Sequence, residues 1–274
     1  MMKNRQFESK VNRKEILLTA FKYPVRFFLS KLSHIYLKKY NQIAHYSFEY
    51  VGQSIEVDGW YEIKELELVN SWLNHVNPEI FNGICLDIGA NIGNHSIYYS
   101  QKFSQVFSFE LLPENLDLLK LNCSKFKNIK IFDFGLSNIN DKINFSFDPS
   151  NLGATSKLNL LQYGFKRSKF PVKKLDDLEI DKAKVSFIKL DVEGSEIDVI
   201  NGGSKFFKEF NPVIVFEQQA DDFQNNKSAV ISLLKEKGYN KFFIIKTSPT
   251  FLEQDNIISL TLTFFISIIF GGKK

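Results

Sequence analysis

The feature that most constrains this chain is LDIGANIG at residues 86–93, a glycine-bearing loop between the apolar run Ile84–Ile88 and a helix-spaced segment over 94–101. A short buried strand that turns at once into a helix is the opening unit of an open α/β sheet, in which ligands bind beyond the carboxyl ends of the strands. The unit then repeats. Residues 105–109 read as a second strand, 113–123 as a helix and 129–134 as a third strand. After an interruption come a strand at 185–190, a helix from about Glu196, a strand at 213–216, a helix at 227–237 and a strand at 241–245. The run 257–270 is almost wholly apolar, too short to span a bilayer as a helix, and rich in β-branched and aromatic residues, so it reads as the last strand. Strand and helix in alternation predict a mostly parallel sheet with helices on both faces.

The order breaks over 137–184, where an alternating INFSF, a Pro/Ser/Asn/Gly loop at 149–153 and a basic run at 166–174 suggest an insertion of small strands over the edge or top of the sheet. Ahead of the loop, 62–76 reads as a helix through Ile63, Leu66, Val69 and Leu73, closed by Pro78. Residues 46–60 alternate and carry Gly52 and Gly59, which suggests a short hairpin. Further upstream, Val25, Phe28, Leu29, Leu32, Ile35 and Tyr36 keep helical spacing, with Pro24 suited to a first turn and Arg26, Lys31, Lys38 and Lys39 among the polar positions. This basic amphipathic helix could dock on its own domain, on a sister subunit in a homo-oligomer, or on a membrane surface through residues 13–40. The chain thus divides into an N-terminal helical segment, 1–45, and a main domain, 46–274.

Charge sharpens that division. The first 40 residues hold ten Lys/Arg against two Glu, whereas the other 234 carry a net charge of −4. A basic arm on a near-neutral body argues against a surface built for nucleic acid and for a local contact with something anionic. Cys85 and Cys123 lack the spacing of a structural zinc site, so no metal is expected and a reducing compartment follows. Charged residues interrupt every apolar stretch near the start, which reads as a cytoplasmic protein, with the inner membrane face open to it.

Three of the expected strands end in an acid, namely Asp87, Glu110 and Asp191, and the strand at 213–216 adds Glu217. Carboxylates gathered at one rim are costly unless a cation or hydrogen-bond donors meet them. S-adenosylmethionine offers an ammonium, a sulfonium and two ribose hydroxyls. Gly89 and Gly93 allow a tight turn and close approach, and Glu110 lies seventeen residues beyond Gly93, near the spacing at which an acid grips ribose hydroxyls. Asn91 stands where a pyrophosphate-binding loop has its second glycine, and no basic residue adjoins it, which disfavours an NAD-dependent sugar-modifying enzyme.

LDIGANIG, SFELLPEN with Glu110 and Pro113, GLSN at 135–138, FIKLDVEGSEIDVINGG at 187–203 and NPVIVFE ending at Glu217 together resemble the FkbM family of methyltransferases over about residues 55–220. Leu111 departs from the proline common there. The resemblance implies a Rossmann-like class I methyltransferase fold, with a seven-stranded sheet whose C-terminal strand is antiparallel. It also implies S-adenosylmethionine as methyl donor and O-methylation of a sugar hydroxyl in a glycan, lipid-linked saccharide or natural product.

Carried onto this sequence, Asp87, Gly89, Asn91 and Gly93 would frame the methionine part of the donor, Glu110 its ribose, and Phe134, Gly135 and Leu136 its adenine. Asp191, Glu193 and Glu196 would line the transfer side, although Glu196 also suits a helix start. A hydroxyl must lose its proton as the new bond forms, so a base is expected, with Glu193, Asp191 and His95 as candidates in that order. Tyr61 and Glu62 could fold over the donor, and Lys189 could snorkel or pair with a rim acid. A reading of another class keeps the fold but makes the chain a non-catalytic component of a glycan-assembly complex.

Overall fold

The computed structural model describes residues 13–148, 151–156, 166–218, 223–224, 227–246 and 265–270. Its main sheet has the order β12-β13-β9-β8-β1-β2-β3. The strands are β1 Ile84–Ile88, β2 Gln105–Phe109, β3 Ile129–Phe132, β8 Val185–Leu190, β9 Val213–Gln218, β12 Lys241–Lys246 and β13 Phe265–Phe270. Five neighbouring strands from β3 to β9 are parallel, and β13 runs antiparallel to both β9 and β12. The switch point lies at β1, which has β2 on one side and β8 on the other.

Alternation along the strands feeds two cores. Cys85, Val106, Phe187, Val213 and Val215 face one side, against α2 Tyr50–Asp58, α3 Ile63–Val76, α4 Asn94–Ser100 and α5 Pro113–Cys123, which supply Ile55, Leu66, Leu73, Ile97 and Leu119. Ile84, Leu86, Ile88, Phe109, Ile188, Leu190, Ile214 and Phe216 face the other, against α6 Glu196–Gly202, α7 Ser204–Phe210 and α8 Ala229–Glu236, through Val199, Ile200, Phe207 and Leu234. The parallel strands read as unbroken apolar runs because both faces are covered; β1 is buried at all five positions.

A second sheet, of order β4-β7-β5-β6, is formed by β4 Gly135–Leu136, β5 Asp141–Asp148, β6 Asn151–Ser156 and β7 Lys166–Lys173. Leu112, Phe145, Phe170 and Val172 pack it against the start of α5. A small antiparallel pair, β10 Phe223–Gln224 and β11 Lys227–Ser228, leads into α8.

The structure corrects four local expectations. The hairpin expected over 46–60 is the helix α2: Gly52 sits where a Cβ would lie 2.0 Å from the Tyr46 carbonyl oxygen, and Gly59, at φ +82°, ends the helix. The third strand stops at Phe132 rather than 134, because Gly135 and Leu136 leave to pair with β7. Pro24 does not open a helix; α1 Arg13–Tyr36 runs through it. The helix expected from 227 begins at Ala229, with Ser228 Oγ accepting the Ile231 N–H as its cap. Of the apolar run 257–270, residues 257–264 lie outside those described.

Candidate active site

The site begins with a polar row buried in the sheet. Register places Ser108, Asp87 and Lys189 side by side on β2, β1 and β8. Ser96 Oγ, from α4, donates to Asp87 Oδ2 at 2.5 Å and lies 2.7 Å from Ser108 Oγ. Lys189 Nζ donates to Asp191 Oδ2 at 3.0 Å and to the Gly89 carbonyl at 3.1 Å, and sits 3.8 Å from Asp87 Oδ1. Burial opposes the Lys189 charge, but Asp191, Asp87 and Glu62 outweigh it and hold its pKa above the ordinary lysine value. Lys189 therefore ties the β1 loop to the β8 loop rather than snorkelling to solvent.

The loop glycines answer to packing. Gly89 has φ +82°, and a Cβ there would lie 1.8 Å from the Asp191 carbonyl oxygen; Gly93 has φ +94° and would put a Cβ 2.8 Å from Leu119 Cδ1 on α5. The first lets β1 and β8 converge, and the second lets α5 close on α4. Asn91 itself adopts φ +49°, Glu193 +48° and Glu62 +54°. Three of the four non-glycine positive-φ residues described thus lie in or beside one cleft, the clustering expected where backbone strain serves a site.

That cleft is a cavity of about 280 Å³ beyond the carboxyl ends of β1, β2, β8 and β9. The expected site residues Gly89, Asn91, His95, Glu110, Gly135, Leu136, Asp191 and Glu193 line it. Asp87, Gly93 and Phe134 do not: Asp87 is fully buried beneath the floor, Gly93 faces α5, and Phe134 packs in the core against Phe109 and Phe132. Glu196 also turns away, accepting the Val192 and Gly194 N–H groups as a first-turn carboxylate.

Glu110 is buried in the wall, with Oε2 accepting the Asn91 N–H at 2.8 Å and Oε1 accepting Leu111 and Leu112 N–H at 2.7 and 2.8 Å. Burial raises its pKa, against the pull of those three amides. Three of its roughly four acceptor positions are used, which leaves one for a ligand hydroxyl.

On the opposite wall the acids are less well compensated. Partial burial, then the charges of Asp191 and Glu196, push Glu193 up to about 7. Glu217 is pushed up to about 8 by burial, then by Asp191, Glu62 and Glu193. His95 Nε2 lies 3.2 Å from Glu62 Oε2, and Tyr61 packs edge-on to the His95 ring. Burial pushes Glu62 up, but His95, Tyr61 and Lys189 outweigh it and hold it below the usual carboxylate range. Among the described residues no three His, Cys, Asp or Glu side chains converge to hold a metal ion.

Sequence reading missed Asn94, Asn115, Ser195 and Phe145, all in the lining. The two asparagine Oδ1 atoms, Ser195 Oγ and Asn91 Oδ1 are buried without a hydrogen-bond partner among the described residues. Asn115 and Ser195 stand inside the motifs LLPEN and EGSE, the signal that could have found them. Phe145 had none, since it arrives from the second sheet.

An open parallel sheet with an antiparallel penultimate position, and acids from the ends of β2, β8 and β9 around one cleft, with Asp87 of β1 buried beneath it, defines a Rossmann-like class I methyltransferase architecture. The methyltransferase FkbM domain matches residues 87–241, more than half of the chain, and the chain belongs to that family. It is 27% identical over 183 residues to hexuronic acid methyltransferase AglP of Haloferax volcanii, covering 64% of this chain and 72% of that protein. It is 28% identical over 140 residues to 2-O-methyltransferase NoeI of Sinorhizobium fredii, covering 44% of this chain and 58% of that one. Among solved structures, methyltransferase FkbM from Methylobacillus flagellatus KT aligns with a TM-score of 0.45 at 18% identity, over 69% of this chain and 44% of that chain. The chain thus spans little more than half of NoeI and less than half of the Methylobacillus protein.

Proposed function

We propose that this chain is an S-adenosylmethionine-dependent O-methyltransferase acting on a sugar hydroxyl. One observation carries the reading: a single cavity has the LDIGANIG loop and Glu110 on one wall and, on the other, two carboxylates poised near neutral pH, Glu193 and Glu217. The lining suits the donor. Buried acceptors at Asn91, Asn94, Asn115 and Ser195 want the hydrogens that an ammonium, an adenine amino group and ribose hydroxyls supply. S-adenosylmethionine bound there would supply a methyl carbon activated by the adjoining sulfonium. Support for the acceptor class comes from the relatives, one named for a hexuronic acid and the other for a 2-O position.

The chain's own residues then have three tasks. Glu110, through its remaining acceptor position, and the loop amides hold the donor against the ends of β1 and β2. Lys189 holds the Asp191 carboxylate in place at 3.0 Å, which makes Asp191 an orienting group. Glu193, held near pH 7, takes the acceptor hydroxyl's proton as the carbon–oxygen bond forms, the match of base strength to working pH that favours general-base catalysis. His95 is engaged with Glu62 and positions that wall.

The experiment is transfer of labelled methyl from S-adenosylmethionine to a panel of envelope glycans and lipid-linked saccharides, hexuronic acid sugars included. Label on a sugar oxygen, with turnover lost in Glu193→Gln while donor affinity is kept, is the expected result. Label on nitrogen or carbon would overturn the O-methyl assignment, and full turnover in Glu193→Gln would overturn the base.

A further inference from the structure

We propose that α1 is a surface anchor that lies along an anionic membrane leaflet. The helix meets the body at its C-terminal end through Tyr36, whose hydroxyl donates to the Val57 carbonyl at 2.6 Å and whose ring lies against Gly59 and Tyr40. Upstream of that, large apolar side chains stand in water. Leu17, Phe21, Phe28 and Ile35 share one helical stripe and are 72%, 70%, 65% and 59% exposed. Val25 widens it and is exposed, as are Tyr23 and Phe27 elsewhere on the helix surface. A run of exposed apolar residues on one element marks a contact surface.

Charge selects the occupant. Lys22 and Lys31 flank the stripe, Arg26 lies on the polar face and Lys38 and Lys39 follow the helix end, all exposed, within a 40-residue segment that holds ten basic residues and two acidic ones. A second copy laid stripe to stripe would bring two such arms together and repel. An anionic leaflet meets both demands, since it takes the apolar side chains into the headgroup boundary and the ammonium groups at its surface. Lys31 Nζ already sits over the Phe27 ring, 5.5 Å from its centroid, the posture of a cation at the edge of an apolar layer. No described helix is long and apolar enough to cross a membrane, so α1 lies on the surface.

The connection to the site is short. α2 takes the Tyr36 hydrogen bond at Val57 and supplies Tyr50 and Val51 to the cavity wall. Along seven residues of helix that is about 10 Å, so the anchor holds the cavity close to the bound surface.

Flotation of the full chain with vesicles tests this. It should float with phosphatidylcholine vesicles containing phosphatidylglycerol, lose binding as salt is raised, and remain unbound with phosphatidylcholine alone. The double variant Phe21→Glu/Phe28→Glu should lower the bound fraction about tenfold or more, the cost of charges in an apolar layer. The triple variant Lys22→Glu/Arg26→Glu/Lys31→Glu should abolish selectivity for the anionic vesicles. Circular dichroism and donor binding, unchanged in these surface variants, keep loss of folding and failure of the methyltransferase reading separate from failure of the anchor. Equal binding by wild type and the Phe double variant overturns the proposal. So does sedimentation of the wild type as a dimer that the same variant dissolves, which would give the stripe to a second copy.

Discussion

Lys189→Met deletes the ammonium that joins the two halves of the site and keeps the length of its stem. In the wild type that ammonium lies 3.0 Å from Asp191 Oδ2 and 3.8 Å from Asp87 Oδ1, and it donates to the Gly89 carbonyl. Asp87 Oδ1 is buried and has no hydrogen-bond partner, so the variant leaves a carboxylate in the sheet without its cation. Removing one partner of a buried ion pair costs roughly 3–5 kcal/mol. The Asp191 side chain is 33% exposed, so water replaces part of what it loses. That sets the expected loss at the lower end, about 3 kcal/mol. For a chain of this size it corresponds to a fall in Tm of about 6–12 °C.

The pH dependence has a definite sign. The raised pKa of Lys189 means its contribution is fully present below the unfolded lysine value, hence throughout the neutral and acid range. Thermal melts by circular dichroism at about pH 7.5 read the loss. Lys184→Met is the control, since its partner Asp181 is half exposed and the pair stands in water; it should leave Tm unchanged. A loss at neutral pH no larger than that control refutes the reasoning.

Other outcomes follow from the same geometry. Gly89→Ala should destabilise far more than Gly194→Ala: both have positive φ, but the first drives a Cβ into the Asp191 carbonyl and the second meets nothing within 4 Å, so it costs only about 1–2 kcal/mol of left-handed strain, read by urea denaturation. Turnover should rise with pH and level off above about 7, because Glu193 acts as a base only when ionised, and the rise should vanish in Glu193→Gln, measured as kcat across a pH series. Glu217 has a folded pKa raised to about 8, so its ionisation costs stability that is intact below the unfolded carboxylate value and lost as pH climbs through 8. Glu217→Gln should therefore raise Tm above pH 8 and lose that advantage in acid, which melts at the two extremes will show.

What the sequence disclosed was what local pattern encodes. β1 and β2 were bounded to the residue because both are short apolar runs, β1 closed by the Gly89 turn and β2 by Glu110. The rim acids were legible because each stands at or just past a strand end: Glu110 and Asp191 directly follow β2 and β8, and Glu217 is the penultimate residue of β9. The departures depend on contacts that alternation and propensity do not encode. The alternating run 46–60 with Gly52 and Gly59 reads as a hairpin until the Tyr46 carbonyl, pressed against Gly52, is seen to demand a glycine inside a helix. Phe134 follows β3 in sequence, but the pairing of Gly135 and Leu136 with β7 sets where the backbone turns and leaves the Phe134 ring in the core. Pro24 marks a helix start by propensity, yet α1 continues through it.

The most direct measurement is calorimetric titration of the full chain with S-adenosylmethionine. Saturable binding at one site, weakened at least about tenfold by Glu110→Ala, which removes both the ribose acceptor and the acceptor of three loop amides, is the predicted result. Heat no greater than dilution at millimolar ligand, from a chain shown to be folded, would contradict the account.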